Sequence, residues 1–147
     1  MSLQAVRLMS ADRILIQSGG RTLSLKEWQR RENVATELYD QFRRSANDIN
    51  TIANNVGMSE SKINTVKNHL FHNEIKFSNG TVRQFDNDYE IATAWERLTS
   101  ATYNSNDLLL IEHEYYEATY MAQFGADYET AHAAANSFYN WEKAIGK

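Results

Sequence analysis

The feature that most constrains this chain is Leu108 to Phe124, LLLIEHEYYEATYMAQF, the one run that is apolar almost all the way round a helix. At about 100° per residue, Glu112, Thr119 and Gln123 collect on a narrow polar strip, and apolar side chains fill most of the remaining circumference. A helix with that surface has to be central. His113, Glu114 and Glu117 fall away from the strip, among Leu110, Tyr120, Met121 and Phe124, so they point to the interior or to a cleft lined by it. A carboxylate placed there without a hydrogen bond or counter-charge takes up a proton rather than bear the cost of leaving water. These groups are therefore either satisfied in a structural network or used by a site.

The 147 residues suffice for one domain with a substantial core, 1–147, and are short for two. Within it, residues 1–47 are expected to form a hairpin and a helix that could act as a connector, and residues 48–147 a helical module. Without cysteine there are no disulfides and no thiolate ligands, which suits a reducing compartment. Without proline, helix ends must be set by caps and glycine. No apolar run of about twenty residues and no signal peptide is present, so no segment is expected to enter a membrane. Charge is uneven: residues 1–76 carry 11 basic and 8 acidic side chains (+3), and residues 77–147 carry 4 and 11 (−7), summing to −4. An acidic half suits cations or basic partners and repels a nucleic-acid backbone unless metal intervenes.

In chain order, RILIQ at 13–17 and Arg21-Thr22-Leu23 flank Ser18-Gly19-Gly20 and predict a short hairpin. Ser24 and Glu27 have capping-box spacing, which starts a helix running to about Arg44. Asp48 to Phe71 has helix-turn-helix spacing, with a small Ala53, a turning Gly57 and core-facing Ile63 and Val66. EIKFS and TVRQF flank Asn79-Gly80, a strong signal for a second hairpin closed by a type I′ turn. Asp86 to Asp88 cap a helix from about Tyr89 to Ser100, Ser105 or Asn106 caps the central helix, and Gly125 ends it. Asp127 opens a last helix running to about Ile145. The expected fold is mainly α, a compact helical domain with one or two small β-hairpins.

His113 and Glu117 stand four apart on one helix face with Glu114 beside them, an H-E-x-x-E pattern. In the related H-E-x-x-H helix of zinc proteases two histidines hold the metal and the glutamate activates water. Here a further ligand must come from elsewhere, and His132 on the following helix is the nearest candidate. His113, Glu117 and His132 would suit a divalent metal such as zinc or manganese. Glu114 or Glu117 would then act as base on a water, with Asp86 assisting. A straight antiparallel return places Tyr120, rather than His113, opposite His132. The competing account is a buried His/Glu/Tyr network without metal. His69 and His72, three apart, form a second possible pair.

The blocks IANNVGMSESKINTVKNHLF, RQFDNDYEIATAWERL, DLLLIEHEYYEATYM and AHAAANSFYNW, in that order, resemble a C-terminal module of phage head-associated and bacterial polymorphic-toxin-like proteins. The resemblance covers residues 52–141, over half the chain. It implies an effector-like domain, with an immunity protein or a phage head component as partner, located in the cytoplasm of a bacterial host or on the phage. It also marks His69, Arg83, Asp86, Trp95, Arg97, His113, Glu114, Glu117, His132, Tyr139 and Asn140 as positions of interest. Where relatives carry a proline between the acids, this chain has Asn87, which changes only the stiffness of that turn.

Three functions therefore compete. The first is an effector-like hydrolase centred on His113, Glu114 and Glu117. The second is a helix-turn-helix DNA-binding protein reading bases and phosphates with Lys62, Asn64 and Lys67. The third is a non-catalytic phage structural or assembly protein whose histidines and glutamates only hold the fold.

Overall fold

A computed structural model describes residues 15–18 and 20–147. Among these it is mainly helical, with two small antiparallel hairpins. The first hairpin pairs β1 (Leu15–Ser18) with β2 (Arg21–Ser24), Leu15 opposite Ser24 and Ser18 opposite Arg21. Arg13, Ile14 and Gly19 of the expected hairpin lie outside the described residues.

Helix α1 (Leu25–Arg44) begins where the Ser24 hydroxyl accepts from the Glu27 N–H at 3.1 Å. The reciprocal half of the expected capping box is not seen, because Glu27 turns its carboxylate to Arg30 and Arg31, at 2.7 and 2.9 Å. Helices α2 (Asp48–Val56) and α3 (Glu60–Lys67) are joined through Gly57, whose φ of 70° supplies the left-handed turn anticipated for it. Ala53, Ile63 and Val66 are buried as that spacing requires. After α3 the chain widens into a π-helical turn, Asn68–His72, closed by the Asn73 N–H on the Asn68 carbonyl at 2.7 Å. It buries His69, Leu70 and Phe71 in succession and leaves His72 outside. In the wider turn residues three apart no longer share a face, so the expected His69/His72 pair does not form.

The second hairpin, β3 (Ile75–Lys76) with β4 (Val82–Arg83), is present, but its turn differs from expectation. Gly80 alone has positive φ, and its N–H bonds the Phe77 carbonyl at 3.0 Å while Phe77 N–H bonds Thr81. That is a three-residue loop with glycine at the left-handed position, not a two-residue I′ turn.

Helix α4 (Tyr89–Thr99) is capped by Asp88 and buries Ala92, Ala94, Trp95 and Leu98. The central helix α5 (Ser105–Phe124) starts earlier than expected, with Asn104 and Asp107 forming a complete capping box, and ends at Gly125. Arg97 closes the α4–α5 corner with two 2.8 Å hydrogen bonds to Asp107. The expected last helix is broken into α6 (Tyr128–Asn136) and α7 (Trp141–Ala144). Asn140 caps the second piece through the Lys143 N–H. Ala131 and Ala135 on α6 and Trp141 on α7 are all buried on either side of the break.

The core gathers Tyr39 and Phe42 from α1, Ile52 from α2, Ile63 and Val66 from α3, Phe71, Trp95 from α4 and Ile111 from α5. Phe71 meets Tyr39 and Trp95 edge-on at 4.9 and 5.3 Å. Among the described residues no helix is long and apolar enough to cross a membrane.

Candidate metal and acid–base centre

The inward face read from the sequence of α5 is the one observed. His113, Glu114 and Glu117 are 2 %, 6 % and 1 % exposed, while Glu112 on the polar strip pairs with Lys62. Burial makes each of these groups depend on partners, and the partners come from three other segments.

Glu117 is the hub. Its Oε1 accepts from His69 Nε2 at 2.8 Å, and its Oε2 lies 3.1 Å from His113 Nε2 and 2.9 Å from His132 Nδ1. Burial pushes the Glu117 carboxyl up, but its hydrogen bonds with the three histidines outweigh that and hold it well below the usual carboxylate range. The antiparallel misfit foreseen between His132 and His113 does not arise, for the two rings meet with His113 Nε2 3.2 Å from His132 Nδ1.

The break between α6 and α7 supplies the outer contacts. His113 Nδ1 donates to the Tyr139 carbonyl at 2.8 Å, and His132 Nε2 lies 2.8 Å from Glu142 Oε1. Hydrogen bonds with Glu117 and then Glu142 push the His132 pKa up to about 9. The Tyr128 hydroxyl is 3.2 Å from His132 Nδ1, and burial, then the Glu117 charge, pushes that phenol up.

Glu114 is different. It is buried, its Oε2 has no hydrogen-bond partner, and His69 Nε2 at 3.6 Å is beyond reach. Burial, with the neighbouring Glu117 charge second, raises its pKa well above the usual carboxylate value. Glu114 and Glu117 line a cleft of about 230 Å³ together with Phe77, Phe85 and Tyr128. Arg83 and Asp86 line the same cleft from more exposed positions, 3.3 Å apart. Asp86 thus sits at the rim, on Arg83, and not among the imidazoles where an assisting acid was expected.

Among the described residues, two groups of three side chains have ligand atoms close enough to hold a metal ion. They are His113, Glu117 and His132, and His69, Glu114 and Glu117. The first is the set anticipated from sequence. The second draws on His69, which sequence spacing had paired with His72. Glu142 and Tyr128 were missed altogether, because the recruitment of Glu142 depends on the helix break. Ser137 and Asn140, both helix-terminus residues, were the available signal for that break.

The nucleic-acid face does not assemble. Lys67 is buried, with Nζ 2.6 Å from Asp48 Oδ1 and 2.9 Å from the Ser45 carbonyl, so it cannot reach a phosphate. Lys62 is spent on Glu112 and on the Tyr115 ring of α5, and Asn64 alone of the three is exposed. The helix-turn-helix spacing is real, but as core packing. Of the other marked positions, Trp95 donates to Asp48 in the core, Arg97 holds the α4–α5 corner and Asn140 caps α7.

Compared with family models, curated proteins and solved structures, the chain matches none.

Proposed function

We propose that the chain is a phage- or toxin-associated effector domain that hydrolyses its substrate at the buried His/Glu centre. The observation that carries this reading is Glu114, a buried carboxyl with an unpartnered oxygen, lining a cleft beside the cluster of imidazoles on Glu117. The large majority of buried polar atoms in structural roles are hydrogen-bonded. In the reaction Glu114 removes a proton from water as the water oxygen bonds to the electrophilic atom of the substrate. It returns that proton to the leaving group as the scissile bond breaks. A carboxyl whose pKa burial has raised is the stronger base when ionised, for the first step, and an available acid once protonated, for the second. Positive charge held at the cluster on Glu117 stabilises the oxyanion. The four ordered sequence blocks support the phage or toxin setting, a bacterial cytoplasmic or phage-borne location, and an immunity protein or head component as partner.

The saturation of Glu117 by three imidazoles favours one rival, a non-catalytic phage assembly protein with a structural His/Glu network. The two readings diverge on Glu114→Gln. The hydrolase loses growth inhibition on expression in bacteria while its melting temperature stays within a few degrees of wild type. If folded Glu114→Gln inhibits growth as wild type does, or if the wild-type chain is inert there and against nucleic acid, peptide and cell-wall substrates, the hydrolytic reading fails.

A further inference from the structure

We propose that His113 Nε2, His132 Nδ1 and Glu117 Oε2 together hold one divalent cation of the zinc–manganese class, which provides the positive charge that the hydrolytic reading requires. The inference rests on the site of that reading and is tested separately from it.

The protons on the two imidazoles are placed by their outer partners. A carbonyl oxygen only accepts, so the 2.8 Å contact with Tyr139 puts the His113 proton on Nδ1. The Glu142 carboxylate, 2.8 Å from His132 Nε2, does the same for that ring. Without metal a proton on His132 Nδ1 donates to Glu117; in the neutral tautomers that a metal ion would bind, His113 Nε2 and His132 Nδ1 both present lone pairs. They face each other across 3.2 Å and face Glu117 Oε2 at 3.1 and 2.9 Å. With both rings neutral, three electron-rich atoms at those separations repel one another unless a metal ion or a proton lies among them.

Protons serve this arrangement poorly. Two would set a pair of N–H groups head to head at 3.2 Å, and one leaves a lone pair turned on a carboxylate. The Tyr128 hydroxyl, 3.2 Å from His132 Nδ1, can donate to that nitrogen but brings no charge. One divalent ion satisfies all three donors together. An ion about 2.1 Å from each donor would see them at angles of roughly 90–100°, as for three neighbouring positions around a metal with the others left for water and substrate. Metal-bound imidazoles commonly donate their second N–H to a carboxylate or a backbone carbonyl, the parts taken here by Glu142 and Tyr139. His69, on the far oxygen of Glu117 at 2.8 Å, holds the ligand carboxylate in position.

The test is calorimetric titration of Zn²⁺ and, separately, Mn²⁺ into the chelator-stripped full chain. The expected result is one equivalent of at least one ion, with binding about 100-fold weaker in His132→Ala and about 10-fold weaker in Glu142→Gln. Because a variant can lose its fold, the wild-type chain is also followed by long-range ¹H–¹⁵N NMR. Zn²⁺ should move the resonances of His113 Nε2 and His132 Nδ1 and leave protons on His113 Nδ1 and His132 Nε2. No uptake of either ion by the folded wild-type chain, undiminished affinity in folded His132→Ala, or metal shifts at the opposite ring nitrogens each overturn the proposal. Absent metal binding with persisting Glu114-dependent activity would remove the metal and spare the hydrolase. Metal uptake with an inert Glu114 would do the reverse.

Discussion

Glu117→Gln is the most informative single change, because it keeps the shape of the side chain and removes its charge. The carboxylate takes part in hydrogen bonds with three imidazoles at 2.8, 2.9 and 3.1 Å, in a position 1 % exposed. A charge-assisted hydrogen bond contributes about 1 kcal/mol more than a neutral one, so the three together predict a loss of about 3 kcal/mol. That lies at the lower edge of the ~3–5 kcal/mol typical of breaking a buried ion pair from one side. With an unfolding entropy of about 2.1 cal/mol/K per residue, the 147 residues give about 0.31 kcal/mol/K, and the melting temperature should fall by roughly 10 °C. Calorimetry with excess chelator is the assay, so that any bound ion makes no contribution. The pH dependence has a defined sign on each side. Glu117, held low in the fold, contributes above the ordinary carboxylate range and loses that contribution as pH falls beneath it. His132, pushed up to about 9 by Glu117 and Glu142, contributes fully below about pH 6.5 and loses its share as pH rises through about 9. A fall of less than about 3 °C near pH 6, or a gain, would show that the imidazoles do not depend on this carboxylate.

Two further changes test the scaffold around the centre. Asp48→Asn strands the Lys67 ammonium, 3 % exposed, with only the Ser45 carbonyl and an amide beside it. Urea unfolding should show a loss of about 3–5 kcal/mol, and a loss under 1 kcal/mol would mean Lys67 escapes to solvent, which would revive its candidacy for phosphate contact. Asn140→Ala removes the α7 cap, at a cost of about 1 kcal/mol. It also loosens the segment carrying the Tyr139 carbonyl and Glu142, so metal affinity should fall several-fold by titration. Unchanged affinity with the expected stability loss would uncouple the break from the centre.

Much of the fold was legible because its signals are local. The inward face of α5 follows from side-chain spacing over one helical turn, and the caps at Ser24 and Asp127 were readable from single residues against their neighbours. The Asn79-Gly80 hairpin was legible as a hairpin, though not in its turn type, since that depends on how the short strands pair. His113, Glu114 and Glu117 were recognisable as a set for the same local reason. Helix-turn-helix spacing misled about function because the pattern specifies how two helices pack and is silent on which face is left for solvent. Here α3 lies against α5 and Lys67 is drawn inside by Asp48.

By itself, then, the amino-acid order determined most of the helices, where they start and which acids and imidazole of α5 are denied water. Only the tertiary structure decided their company. A widened turn after α3 swings His69 inward, and a break between α6 and α7 brings the Tyr139 carbonyl and Glu142 onto the two remaining imidazoles. Both are departures from regular helix that packing of distant segments selects, as Phe71 and Trp141 find the core. No periodicity within a few residues encodes a choice whose free energy comes from contacts tens of residues away.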